Sequence, residues 1–192
     1  MCTEPEKIRN VPAGKSPKIL GVAGWSGSGK TTLICALIPV LSAYGLTVST
    51  LKHTHHDIDP DPPGKDSRRH REAGAQEVML VGPRRTVTVA AGPSSFPLLA
   101  LVARLRPVDL VLVEGFREKA YPKIEVWRAA LGKPRAVPET AVLAVATVRA
   151  DMASVPPPLG VPVLDLDDPA AVAAFLIDRL GLSRPETMRD NG

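Results

Sequence analysis

Apolar residues in this chain come in short blocks separated by glycine, proline and charged residues. Lys18–Ala23 (KILGVA), Asp109–Glu114 (DLVLVE) and Ala141–Ala146 (AVLAVA) are nearly continuous apolar runs with the length of buried strands. Thr47–Leu51 and Val161–Asp165 predict two more. Glu77–Val81 and Thr86–Ala90, joined by GPRR, predict a hairpin or close antiparallel pair. Pro122–Trp127 (PKIEVW) alternates polar with apolar positions and predicts an edge or half-exposed strand.

Longer blocks carry a helical pattern. Thr31–Tyr44 predicts a helix stopped by Gly45 and bent by Pro39. A short helix is expected over Ser67–Ala73, with Asp66 as its cap and Gly74 at its end. Ser95–Leu105 predicts another. The last helix is capped by Asp167 or Asp168, with Pro169 in its first turn and Gly181 after it. Strands alternating with helices predict an α/β fold of three layers, a mostly parallel sheet with helices on both faces, plus an additional antiparallel pair or edge strand. A single domain is expected over residues 18–182, between a flexible arm at 1–17 and a frayed tail at 183–192.

In such sheets ligands bind beyond the carboxyl ends of the strands. Four polar segments each follow an apolar run: the glycine-rich stretch at 24–29, Lys52–Asp57, Glu114 and Thr147–Arg149. Parallel strands would bring all four to one edge.

Composition narrows the class. Aromatic residues make up 4% of the 192 residues against 44% hydrophobic residues, so the core is aliphatic. A net charge of +4 without a dominant basic run, and without aromatics interleaved among basic residues, gives no nucleic-acid surface. The two cysteines, Cys2 in the arm and Cys35 in the expected buried helix, have no metal or disulfide spacing and suit a reducing, cytoplasmic setting. The apolar stretch at 31–46 is too short and too interrupted to span a membrane.

The strongest chemical signal is Gly24-Trp-Ser-Gly-Ser-Gly-Lys-Thr31, which fits G-x-x-x-x-G-K-[ST] between a predicted strand and a predicted helix. Glycines let the backbone turn its N–H groups toward an anion, and the following helix adds its own unpaired N–H groups. Gly24, Ser26, Gly27, Ser28, Gly29, Lys30, Thr31 and Thr32 are therefore candidate nucleotide ligands on a P-loop NTPase fold. Lys30 reaches the β- and γ-phosphates, and the Thr31 hydroxyl is a Mg²⁺ ligand. Glu114 is placed to hold Mg²⁺ or to position a water, so Lys30 and Glu114 are the candidate catalytic pair and Thr31, Glu114 and Asp57 the candidate metal residues.

Three segments together resemble the family of molybdopterin-guanine dinucleotide biosynthesis protein B, MobB. They are GWSGSGKTTL, the stretch LKHTHHDIDPDPPGKDSRRHREAGA (51–75), and DLVLVEGFREKAYPKIEVWR (109–128). The resemblance implies a homodimeric protein that binds GTP with Mg²⁺ and hydrolyses it slowly at most. It also implies the partner MobA, the guanylyltransferase that joins GMP to molybdopterin, and molybdopterin or the molybdenum cofactor as the shared substrate. Two positions depart from the family pattern. Arg68 stands where an aromatic is usual, and Val148 where an acid is usual after the late strand, with Asp151 the candidate to read guanine in its place from a shifted loop.

All four histidines, His53, His55, His56 and His70, fall in one region without a recognisable zinc spacing. Neighbour hydrogen bonding is as good an account of them as any specific role. Lys65, Arg68, Arg69 and Arg71 are a solvated helix face or an anion site, and His53, Arg69 and Arg71 are the candidates for a substrate or partner anion. Two other functions share the glycine loop: a small-molecule kinase with an arginine-rich lid, and a metallochaperone-type GTPase using the histidines.

Overall fold

The structure, a computed structural model, describes residues 16–54, 58, 63–90, 97–156 and 160–183. The expected arm up to residue 15, with Cys2, and the tail from residue 184 lie outside these residues. His55, His56 and Asp57 do as well. The chain forms two compact units, residues 1–53 with 105–192, and residues 54–104.

The first unit holds a six-stranded sheet. Its strands are β1 (Lys18–Ala23), β2 (Val48–Lys52), β5 (Leu110–Glu114), β6 (Lys123–Val126), β7 (Val142–Thr147) and β8 (Val163–Asp165). They lie in the order β2-β5-β1-β6-β7-β8, and every pairing is parallel. Two longer helices belong to this unit, α1 (Lys30–Ala43) and α4 (Pro169–Leu180).

Alternation along the strands decides which residues meet the helices. Leu20 and Val22 of β1, Leu110 and Leu112 of β5, Ile124 and Val126 of β6, and Ala144 and Ala146 of β7 share one cluster with α1 and α4. From α1 come Leu33, Ile34, Leu37 and Leu41, and from α4 Val172, Ala173 and Leu176. Each fully buried Leu or Val contributes roughly 1.5–3 kcal/mol relative to exposure. Cys35, expected in a buried helix, is exposed, because it lies one helical step away from the buried 33/34/37/41 stripe. Pro39 sits inside α1 as expected. Asp168 is the cap of α4, accepting the Ala171 amide at 2.9 Å.

The position of β6 corrects the sequence reading. This strand is not an edge: it pairs with β1 on one side and β7 on the other, and all four of its residues are buried. The alternation that suggests a wet face comes from two charged residues turned inward. The ammonium of Lys123 donates to the carbonyls of Lys119 and Tyr121 and lies 3.8 Å from the Tyr121 ring centroid. Burial lowers its pKa, partly offset by Glu118. The Glu125 carboxylate pairs with Arg135 at 2.8 Å and accepts the Ala136 amide. Tyr121 closes over Gly21, where a Cβ would come within 2.8 Å of its ring. Burial, with a smaller contribution from Glu118, pushes the Tyr121 phenol up to about 12.

The second unit contains α2 (Asp66–Glu72), β3 (Glu77–Val81), β4 (Thr86–Ala90) and α3 (Leu98–Val102). The expected antiparallel pair is present, with Leu80 opposite Val87 and Met79 opposite Thr88. The expected helix at 95–105 is five residues long, and residues 91–96 lie outside the described set.

Candidate functional site

β1 is the point where the strand order reverses, with β5 and β2 on one side and β6 on the other. Open parallel sheets bind ligands at such a point, beyond the strand ends. The glycine stretch occupies that position and runs into α1, with Gly29 at φ 105° as the residue before the helix. Gly24 has φ 146°, and a Cβ on it would stand 2.2 Å from the carbonyl oxygen of Val126 at the end of β6. Only glycine fits where the loop leaves β1. Ser28 is buried, while Ser26 and Gly27 at the crest are exposed, as are Thr31 and Thr32 on the first turn of α1.

Glu114 ends β5 in register with Val22 of β1 and with Lys52 of β2. The Thr31 hydroxyl lies 3.0 Å from each Glu114 carboxylate oxygen, and the Lys52 ammonium 3.4 Å from one of them. Lys30 folds back onto its own loop, donating to the Trp25 carbonyl at 2.8 Å. Burial lowers the Lys30 pKa; the Glu114 carboxylate opposes that shift and the Lys52 cation reinforces it. A cationic lysine, an unshared helix N-terminus and two hard oxygen groups therefore converge at one strand edge. Hydroxyl and carboxylate oxygens are the donors that Mg²⁺ takes, and the glycine loop leaves room for phosphate where side chains would fill it.

The residue pair after Glu114 is unusual. Gly115 has φ 103° and Phe116 φ 49°, the only non-glycine residue with positive φ among the described residues. The turn fits against β2's extension: the His53 amide donates to the Glu114 carbonyl at 2.9 Å, and the rings of His53 and Phe116 pack at a 32° tilt with centroids 4.2 Å apart. His53 thus sits beside the Glu114 corner. Arg69 and Arg71 lie on α2 in the second unit, Arg69 being 4.0 Å from Asp66, while Arg68 pairs with Glu72 at 2.8 Å. Asp57, the third metal candidate, is outside the described residues. Among the described residues no three His, Cys, Asp or Glu side chains gather as a metal cluster.

On the other side of the cradle, Val148 follows β7 and packs against the main core. Asp151 lies in the 3-10 turn that begins there and accepts the Ala129 amide at 3.0 Å. Arg149 pairs with Asp165 at 3.1 Å.

Sequence reasoning placed Lys52 and Glu114 at one edge but not in contact, and missed two other residues at this site. Lys52 meets Glu114 because β2 and β5 are neighbours, in register at that pair. Arg128 donates from Nε to the Ser28 carbonyl at 3.0 Å, holding the cradle from the end of β6. Arg117 stands over the Trp25 ring, 5.2 Å from its centroid.

Comparison with known proteins agrees with this geometry. Residues 19–148 match the family described as "Molybdopterin guanine dinucleotide synthesis protein B". A relative from Escherichia coli (strain K12), named molybdopterin-guanine dinucleotide biosynthesis adapter protein, is 39% identical over 173 residues, covering 86% of this chain and 95% of the relative. A like-named relative from Haemophilus influenzae is 45% identical over 131 residues, covering 67% of this chain and 74% of its own. Among solved structures, Bacillus subtilis MobB superposes with a TM-score of 0.65 at 26% identity, over 85% of this chain and 98% of that one. The MobB homologue from Bacillus stearothermophilus gives 0.58 at 27% identity, over 85% and 97%. The six parallel strands, the separate antiparallel pair and the glycine cradle are thus found in a chain that belongs to the MobB family.

Proposed function

We propose that this protein is a GTP-binding adapter in molybdenum-cofactor maturation, working beside the guanylyltransferase MobA as it converts molybdopterin to molybdopterin guanine dinucleotide. The observation that carries the proposal is the convergence of Lys30, Thr31 and Glu114 at the cradle, in a chain whose relatives bear the adapter name. Gly24 and residues 26–32 would hold the phosphates of GTP. Thr31 and Glu114 would hold Mg²⁺, which when bound neutralises phosphate charge.

The chain's own residues do the rest. Lys30 gives up the Trp25 carbonyl and moves its ammonium to the phosphates. Glu114 would turn from Lys52 to hold Mg²⁺, directly or through water. Those exchanges reach the neighbouring Gly115–Phe116 turn and His53, the start of the 53–57 segment. Nucleotide occupancy would then be read by the partner through that corner, a population shift of the kind seen where phosphates order loops. Hydrolysis is slow at most in this reading, since no glutamine adjoins Glu114 to orient water. Asp151, in the 3-10 turn that follows β7, would supply a carboxylate for recognising guanine in place of the acid usual at Val148. His53, Arg69 and Arg71 remain the candidates for the anion of molybdopterin or of the partner.

A homodimer and a cytosolic location go with this reading. Met79 and Val81 are exposed on one face of the β3–β4 pair, at 62% and 76%, and Leu80 and Val87 lie exposed together on the other, apolar surface of the kind that a second copy would cover. Light scattering that finds only monomer at tens of micromolar would remove the dimer. The function is tested by adding this protein to MobA, GTP, Mg²⁺ and molybdenum cofactor. Faster dinucleotide formation that depends on Lys30 supports it; unchanged formation contradicts it.

A further inference from the structure

Trp25, the second residue of the cradle, is held by groups the phosphate reading does not use. Its indole N–H donates to the Pro134 carbonyl at 2.6 Å. The adjoining Lys133 carbonyl accepts the indole N–H of Trp127 at 3.0 Å, so two tryptophans fix the 133–134 segment. Two cations from separate loops approach the Trp25 ring. The Arg117 guanidinium carbon is 5.2 Å from the ring centroid and the Lys133 ammonium 5.9 Å. Glu118 pairs with Arg117 at 3.1 Å, and Lys133 has no carboxylate partner among the described residues. A cation over an aromatic face is attracted by it, so the Trp25 ring draws both cations toward the mouth of the cradle.

The place of this cluster follows from its neighbours. Lys30, which serves the β- and γ-phosphates, rests on the carbonyl of Trp25. Arg117 comes three residues after Glu114, whose carboxylate meets Thr31. Both contacts put the cluster beside the Lys30 and Thr31 end of the cradle.

We propose that Arg117 and Lys133, gathered on Trp25, form a subsite for a phosphate dianion beyond the β-phosphate position. The inference rests on the cradle being a nucleotide site. A phosphate reaching both cations would replace Glu118 at Arg117 and give Lys133 a counter-charge, and a guanidinium with an ammonium supplies charge-assisted donors. The dianion is either the γ-phosphate of the nucleotide or the phosphate monoester of a second ligand bound next to it. Arg117 and Lys133 are positioning residues for that group. In the first case they set triphosphate above diphosphate.

The test is calorimetric titration of the full chain with GDP, with guanosine 5′-(β,γ-imido)triphosphate, and with phenyl phosphate added to protein already loaded with the imidotriphosphate. Native protein is compared with Arg117→Ala/Lys133→Ala and with the charge-preserving Arg117→Lys/Lys133→Arg. Both side chains are exposed, and melting curves check that the variants fold. A tenfold or greater loss of imidotriphosphate affinity (about 1.4 kcal/mol) in the alanine variant, with GDP unchanged and the charge-preserving variant largely restored, supports a γ-phosphate subsite. Loss confined to phenyl phosphate supports the second-ligand source. Equal effects on both nucleotides, or none on any probe, overturn the inference and leave the nucleotide reading standing. Failure of the native protein to bind either nucleotide overturns that reading and the inference with it.

Discussion

The Thr31 hydroxyl and the Glu114 carboxylate, 83 residues apart in sequence, meet with both oxygens of the acid at 3.0 Å. Neither residue is placed by its own element alone. Thr31 stands in the first turn of α1 because the glycine loop ends at Gly29, and Glu114 ends β5, which lies beside β1 in register. If this pair holds Mg²⁺, Glu114→Gln weakens metal binding and leaves metal-free nucleotide binding intact. The strengthening of GTP binding by Mg²⁺ should fall about tenfold or more, as expected for losing a charge-assisted contact of about 1.5–3 kcal/mol. Titrations with and without Mg²⁺ measure it. An unchanged Mg²⁺ effect removes Glu114 from the metal site.

Lys30 gives a pH dependence. Burial, with the nearby Lys52 cation, lowers its folded pKa below the ordinary 10.5, against the pull of Glu114. Phosphate bound to the ammonium favours its protonated form. The complex therefore binds more protons than the free protein, and affinity falls as pH rises through the lowered pKa of the free protein. Lys52→Gln removes one cause of the lowering and should move this alkaline loss to higher pH. Binding curves from neutral pH upward check both statements. An affinity independent of pH up to 10.5 contradicts them.

Gly24→Ala tests the cradle without touching charge. The new Cβ meets the Val126 carbonyl at a backbone angle that side chains rarely adopt. Strain and displacement should cost about 1–3 kcal/mol of stability. Nucleotide affinity should fall as well, because the loop moves off β6. Denaturant melts and titrations report the two effects separately.

The inward charges of β6 make a further prediction. Glu125→Ala leaves Arg135 buried with no carboxylate and should cost about 3–5 kcal/mol. Replacing both residues, as in Glu125→Leu/Arg135→Leu, should be much less damaging than the single change. The terminal nitrogens of Arg135 are already buried without hydrogen-bond partners, so its removal relieves as much as it breaks. Equal losses in the single and double variants would falsify the pairing.

Much of the fold was legible because parallel strands buried on both faces read as unbroken apolar runs. Lys18–Ala23, Leu110–Glu114 and Val142–Thr147 are such strands, and the glycine loop announced its own position between β1 and α1. The misreading of Pro122–Trp127 has a physical cause. Alternation reports side-chain polarity, not exposure, and Lys123 and Glu125 are satisfied internally by carbonyls, by Arg135 and by a backbone amide. At the site, the cradle and Glu114 came from local spacing. The Lys52–Glu114 pairing, Arg117 and Arg128 did not, because their contacts depend on which strands end side by side.

The central claim is that this cradle holds a guanine nucleotide with Mg²⁺, and one titration tests it most directly. GTP, GDP and ATP are compared in the presence of Mg²⁺ on the native protein and on Lys30→Ala. The account predicts GTP binding favoured over ATP, strengthened by Mg²⁺ and weakened about ten- to hundredfold by the substitution. Preference for ATP, or GTP binding that survives loss of Lys30, would contradict it.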